Sequence, residues 1–173
     1  MADTVLFGPD EINTALADLA RRIAADAEPA TLVGIFTNGV PLAARLAERI
    51  KTATGKAPDL GTIDITLYRD DLAGRAAPLV RGSELPFGLE GRRIVLVDDV
   101  LFTGRTIRAA LNVLADYGRP QRVQLCVLVD RGHRELPIAA DFTGMRTETR
   151  ASDRIRVRLR ETGAPQDEIL LSR

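Results

Sequence analysis

Residues 94–117, IVLVDDVLFTGRTIRAALNVLADY, constrain this chain more than any other stretch of it. The apolar tetrad at 94–97 shows no polar alternation, so it suits a strand covered on both faces. Two adjacent carboxylates, Asp98 and Asp99, follow at once, and then a turn crowded with Thr103, Gly104 and Thr106. From 106 to 117 apolar residues recur at helical spacing (Ile107, Ala110, Leu111, Leu114), with Gly118 as the stop. A doubly covered strand that runs into a helix is the unit of a parallel α/β sheet.

The remaining chain repeats that alternation. Pro9, Asp10 and Glu11 mark a helix start, and Ile12, Leu16, Leu19 and Ile23 share one face behind it. Residues 31–36 (TLVGIF) predict a strand, residues 37–39 a turn, and Pro41 opens a helix with Leu42, Leu46 and Ile50 inward. Residues 60–68 predict a second strand and 123–129 a fourth, with 94–97 between them. Residues 154–160 and 168–171 predict a terminal hairpin around Gly163. Between 69 and 92 lies an irregular stretch with Gly74, Gly82, Gly88, Pro78 and Pro86; a loop this long in a compact domain is usually functional or disordered. The expectation is an α/β fold: one domain over 1–173, with a central, mostly parallel sheet flanked by helices.

Bulk properties exclude several classes. With 45% hydrophobic residues among 173, the chain has enough apolar material for a core, which argues against disorder. No apolar run approaches the roughly 20 residues of a membrane span, so no membrane partner is expected. The start, MADTVLFGPDE, lacks the pattern of a secretion signal. The single cysteine, Cys126, lies in the apolar run VQLCVLV and reads as a buried thiol. These features point to the cytoplasm. Acidic and basic residues balance at 24 each, so the whole molecule exerts no strong pull on nucleic acid, although a local patch could.

In open α/β sheets ligands bind beyond the carboxyl ends of the strands, where Asp98 and Asp99 stand. Residues 101–106 bridge strand to helix, and a helix amino end favours an anion. Gly104 lets the backbone come close, and Thr103 and Thr106 offer hydroxyl donors, which together suit one phosphate. The carboxylates would repel that phosphate but suit hydroxyl groups or Mg²⁺ beside it. A phosphate next to a vicinal diol describes a ribose 5-phosphate.

The stretch VLVDDVLFTGRT resembles the phosphoribosyl-pyrophosphate (PRPP) motif of the type I phosphoribosyltransferases. With GIFTNGVPLAARLA, DITLYRDDL and VLVDRGHRELPIAADFTG it is similar to the bifunctional family of pyrimidine-operon attenuation regulators and uracil phosphoribosyltransferases. That resemblance spans about residues 10–160 and implies the type I phosphoribosyltransferase fold, with a mobile hood at about 69–92. It implies transfer of ribose 5-phosphate from PRPP to uracil, giving UMP and pyrophosphate, with Mg²⁺ carried by PRPP. By the same resemblance Asp98 and Asp99 bind the ribose hydroxyls, directly or through Mg²⁺, and with Arg69 form the candidate catalytic set. Val100, Leu101, Phe102, Thr103, Gly104, Arg105 and Thr106 would hold the 5-phosphate. Thr37, Asn38 and Gly39 match the pyrophosphate loop, and Arg69 and Arg81 are candidate diphosphate clamps. Val129, Asp130, Arg131 and His133 would form the uracil pocket.

Two residues depart from the family pattern. The pyrophosphate loop usually carries a basic residue where this chain has Asn38, and Phe36 replaces a commonly polar residue. Weaker PRPP or pyrophosphate binding is expected, unless Arg69 or Arg81 compensates.

The resemblance also implies UMP-dependent binding of pyrimidine-operon leader RNA and assembly as a homodimer or higher homo-oligomer. Residues 154–160 (RIRVRLR) alternate, which as a strand puts four arginines on one face. Such a row could meet RNA phosphates, or be the wet face of an edge strand. Three readings stay open: an enzyme that also regulates transcription, an enzyme without RNA binding or for another base, and an RNA-binding regulator with weak or lost catalysis.

Overall fold

The computed structural model describes residues 3–69 and 79–173. Its chain order is β1 (Asp3–Phe7), α1 (Pro9–Ala24), β2 (Ala30–Ile35), α2 (Gly39–Thr54), β3 (Asp59–Ile63), β4 (Arg93–Leu101), α3 (Arg105–Tyr117), β5 (Arg122–Asp130), β6 (Phe142–Arg146), β7 (Arg154–Arg158) and β8 (Glu168–Ser172). Five strands form a parallel sheet in the order β3-β2-β4-β5-β6. A second, antiparallel sheet has the order β1-β8-β7.

The alternation of strand side chains divides the core. Val95 and Val97 of β4 point to the layer of α1 and α2, with Leu16, Leu19, Leu42 and Leu46. Ile94 and Leu96 point the other way, to α3 with Ile107, Val113 and Leu114. The apolar tetrad is therefore covered on both faces, as its composition predicts. Cys126 is buried in the first layer, and burial pushes its thiol up to about 12. The inward face of α3 differs from the sequence reading in one place: Leu111 is 40% exposed, and Ala109 and Val113 are buried instead.

Other departures have local causes. The strand expected over 60–68 ends at Ile63, because the Asp64 carboxylate accepts the Thr66 N–H (2.9 Å) and the Thr66 hydroxyl, folding residues 66–68 into a 3₁₀ turn. By contrast β4 runs past the tetrad to Leu101, since Asp98, Val100 and Leu101 continue the ladder with Val127, Val129 and Asp130 of β5. Pairing overrides the low strand preference of aspartate. Two strands, β1 and β6, have no counterpart in the sequence reading. Both are half-exposed edge strands, with little apolar periodicity to reveal them.

The expected terminal hairpin is present as β7 and β8, and it is tied to α2. Arg45 donates to Glu161 (2.7 and 2.5 Å) and to Asp167 (2.6 and 3.0 Å). This guanidinium holds the Asp167 carboxyl below the usual carboxylate range, so its contribution is lost as pH falls through that lowered value. Arg45→Ala strands a largely buried carboxylate and should cost about 2 kcal/mol, read from a urea midpoint at pH 7.

Candidate functional site

The strand order reverses between β2 and β4. After β2 the chain crosses to β3 on one side, and after β4 it crosses to β5 on the other. The crevice between two such carboxyl ends is where α/β sheets bind ligands. Residues 36–39 and 98–106 meet there.

The loop after β2 packs closely on β4. An added Cβ at Gly39 would lie 2.3 Å from the Val97 carbonyl oxygen, so only glycine permits this approach. The Asn38 amide nitrogen donates to Asp99 Oδ2 (2.8 Å) and to the Val157 carbonyl of β7 (2.9 Å). Thr37 stands between them and the Phe36 amide, which donates to the Ile63 carbonyl (3.1 Å).

Asp98 is only 6% exposed. Burial first, and the charge of Asp99 second, raise its carboxyl well above the ordinary carboxylate range. Its Oδ1 accepts the Asp99 N–H (2.9 Å), while Asp99 Oδ1 accepts the Val100 N–H (2.8 Å). Among the described residues no three acidic, histidine or cysteine side chains converge on one point. Two adjacent carboxylates suit Mg²⁺ that keeps its waters and arrives with a phosphorylated substrate, rather than a protein-built cage.

Beyond the acids, Gly104 adopts φ +95°, a left-handed conformation that turns the chain into α3. Here a cavity of about 260 Å³ is lined by Arg69 and by Val100, Leu101, Phe102, Thr103, Gly104, Arg105, Thr106 and Ile107. The amino end of α3, whose first N–H groups lack helical partners, forms one wall. The Thr103 carbonyl accepts the Glu135 and Leu136 N–H groups, and Arg105 pairs with Glu135 (2.9 Å), so the turn is fastened to the loop after β5.

That second loop is organised around Phe102. Arg131 is 5% exposed; its guanidinium lies 3.9 Å from the Phe102 ring centroid and donates to the carbonyls of Asp153 (2.6 Å) and Arg150 (2.7 Å). Those bonds turn the side chain toward the protein. His133, at φ +60°, places Nε2 2.7 Å from the Thr149 carbonyl and meets Phe102 edge-on. Asp130 pairs with Arg134 (2.6 Å) and accepts the Gly132 N–H (3.0 Å), and Val129 is buried beside them. A cavity of about 570 Å³ opens here, walled by Val100, Phe102, Arg131 and residues 151–156. A third, of about 640 Å³, is lined by Asn38, Asp99, Val100 and residues 155–158, with Asp3. Val100 borders all three cavities.

Arg81 stands beside the loop after β2, its guanidinium 5.4 Å from the Phe36 ring centroid. Of the expected hood, residues 70–78 lie outside the described residues. Sequence reasoning missed Asp64, residues 151–153, the place of residues 154–156 in a cavity wall, and Phe36's contact with Arg81. Asp64 hid inside an apparent strand, residues 151–153 carry no motif, and the alternation of 154–160 marks a strand without showing that its start walls a cavity. A cavity of about 610 Å³ also opens at the amino ends of the strands, lined by Asp26, Glu28, Arg92 and Arg93 among others. Among the described residues no strand delivers a carboxyl-end loop there. On β7, Arg154, Arg156, Arg158 and the following Arg160 are exposed while Val157 and Leu159 are buried, as the alternation predicts. Arg156 pairs with Asp3, and Arg158 with Glu168 (3.0 Å). No helix among the described residues is long and apolar enough to cross a membrane.

A phosphoribosyl transferase domain model matches residues 8–159. The bifunctional protein PyrR of Chloroflexus aurantiacus is 51% identical over 170 residues, covering 96% of this chain and 93% of that protein. The bifunctional protein PyrR of Deinococcus radiodurans is 48% identical, covering 91% of this chain and 88% of its own. Among solved structures, a Trypanosoma cruzi hypoxanthine phosphoribosyl transferase superposes with a TM-score of 0.74 at 20% identity, covering 98% of this chain and 91% of that one.

Proposed function

Because this chain belongs to the phosphoribosyltransferase family and, within it, to the bifunctional PyrR proteins, it is a uracil phosphoribosyltransferase and pyrimidine-operon attenuation regulator, and we propose that the crevice around Val100 is where both functions read their ligands. The observation that carries this reading is the meeting of three cavities at Val100, next to an acid pair at the reversal of strand order. A 5-phosphate fits the cavity at the amino end of α3, the ribose hydroxyls face Asp98 and Asp99, and the base lies along Phe102 and residues 151–156.

In the reaction uracil N1 bonds to ribose C1′ as the bond from C1′ to the diphosphate oxygen breaks, and the N1 proton passes to water. Mg²⁺, when bound with PRPP, supplies positive charge to the departing diphosphate. Asp98 and Asp99 orient the ribose through its hydroxyls and favour the positive charge that develops at C1′. Arg69 borders the 5-phosphate cavity, while Arg81, beside the loop of residues 37–39, holds the diphosphate. Backbone groups of residues 129–133, rather than the Arg131 guanidinium, present the polar edge to uracil. His133, occupied by the Thr149 carbonyl, serves the loop and not proton transfer. Residues 69–92 act as the hood that excludes water at closure.

The whole of 1–173 works as one domain, in the cytoplasm, as a homodimer or higher oligomer. Pyrimidine-operon leader RNA is the second partner, bound more tightly with UMP. Base choice is the discriminating test, since the structural neighbours include hypoxanthine enzymes. With PRPP and Mg²⁺, labelled uracil should become UMP undiminished by excess hypoxanthine. Formation of IMP instead would overturn the uracil assignment.

A further inference from the structure

The diphosphate of PRPP is the most highly charged part of the substrate, yet the loop that faces it, Thr37-Asn38-Gly39, holds no cation and borders two carboxylates. Asn38 is already engaged, because its amide nitrogen donates to Asp99 Oδ2 at 2.8 Å and to the Val157 carbonyl at 2.9 Å. It cannot give a hydrogen to a diphosphate without releasing one of these. The nearby cation comes from elsewhere. The Arg81 guanidinium lies over the Phe36 ring, 5.4 Å from its centroid. Its backbone is moored separately: Asp64 Oδ2 accepts the N–H groups of Arg81 (2.5 Å) and Gly82 (3.3 Å), and the Asp64 N–H donates to Ser83 Oγ (2.9 Å). Asp64 thus takes the Arg81 backbone and leaves its guanidinium on the ring.

We infer that Phe36 and Asn38 are complementary positioning residues: Asn38 holds Asp99 in place, and Phe36 seats Arg81 as the cation that binds the diphosphate. This rests on the phosphoribosyltransferase reading above. An aromatic face orients a guanidinium without neutralising it, which a carboxylate in the same place would do. The loop keeps its charge complement although its central residue is neutral.

The test is calorimetric titration of the full chain with pyrophosphate and Mg²⁺, and separately with UMP, which carries the base and 5-phosphate but no diphosphate. Arg81→Gln should weaken pyrophosphate binding about tenfold, the size of a charge-assisted hydrogen bond. Phe36→Leu should weaken it about threefold, as for a partly exposed cation–π contact. The double variant should bind no worse than Arg81→Gln alone, because the ring acts only through the guanidinium. UMP affinity should stay unchanged in all three. Asn38→Ala should weaken pyrophosphate binding far less than Arg81→Gln does. Additive losses, equal losses for UMP, unchanged pyrophosphate affinity in Arg81→Gln, or a loss in Asn38→Ala as large as that of Arg81→Gln would each overturn the inference. None of these readouts needs turnover, so a wild type that forms no UMP would refute the enzymatic reading and leave this test intact.

Discussion

Gly39→Ala is expected to remove PRPP-dependent activity and to cost roughly 2–4 kcal/mol of stability. The new Cβ would sit 2.3 Å from the Val97 carbonyl oxygen, 3.2 Å from the Val97 carbonyl carbon and 3.4 Å from Asp98 Cα. All three are backbone atoms of the central strand, which cannot rotate aside as a side chain can. The loop after β2 must lift instead, taking Asn38 from Asp99 and opening the packing at the start of α2. A displacement near 1 Å at a substrate-positioning group costs about 10²-fold in rate. The check is a urea midpoint together with the PRPP KM of whatever folded protein remains.

Asp98→Asn should separate stability from function. Asp98 is buried beside Asp99, and burial together with the neighbouring charge raises its carboxyl well above the ordinary carboxylate range. The folded value lies above the unfolded one, so the favourable contribution is complete below about pH 4 and is lost as pH rises through the raised value. Near neutral pH the ligand-free protein is therefore destabilised by this side chain. Asparagine keeps the shape, can accept the Asp99 N–H, and never ionises. Without ligand the variant should be more stable than wild type at pH 7 by about 1 kcal/mol, some 2–4 °C in Tm. The difference should close toward pH 4. UMP formation should fall about 10²-fold, since the ribose loses one carboxyl oxygen of the acid pair as a hydrogen-bond acceptor. A variant less stable than wild type at pH 7 would contradict the burial argument.

The residues with most chemistry in them were the ones most legible in the sequence. The tetrad at 94–97, the acid pair and Thr103, Gly104 and Thr106 fall within thirteen residues, 94–106, so local spacing alone brings them to one strand end and the helix that follows it. The helices were legible for the same reason, since their apolar faces repeat within a turn or two. What was hidden depends on contacts distant in sequence. β1 becomes a strand only because β8, some 165 residues on, offers it an edge. Asp64 ends β3 through its own side chain, inside a stretch whose β-branched residues predict continued strand. Arg131 is a cation in a pocket-forming motif, yet its donors close on carbonyls 19 and 22 residues away, and no local pattern announces that. Asn38 and Phe36 look like losses when compared with the family's usual loop. Only the structure sets them beside Asp99, Val157 and Arg81.

The most direct measurement mixes wild-type protein with PRPP, Mg²⁺ and radiolabelled uracil and follows UMP, against an Asp98→Asn/Asp99→Asn double variant. UMP formed by the wild type and lost in a folded double variant is the predicted result; it would place the transfer at the acid pair and make Asn38 a tolerated neutral residue. No UMP from a wild type that still binds UMP would contradict the account, and the crevice would then be a nucleotide sensor for RNA control.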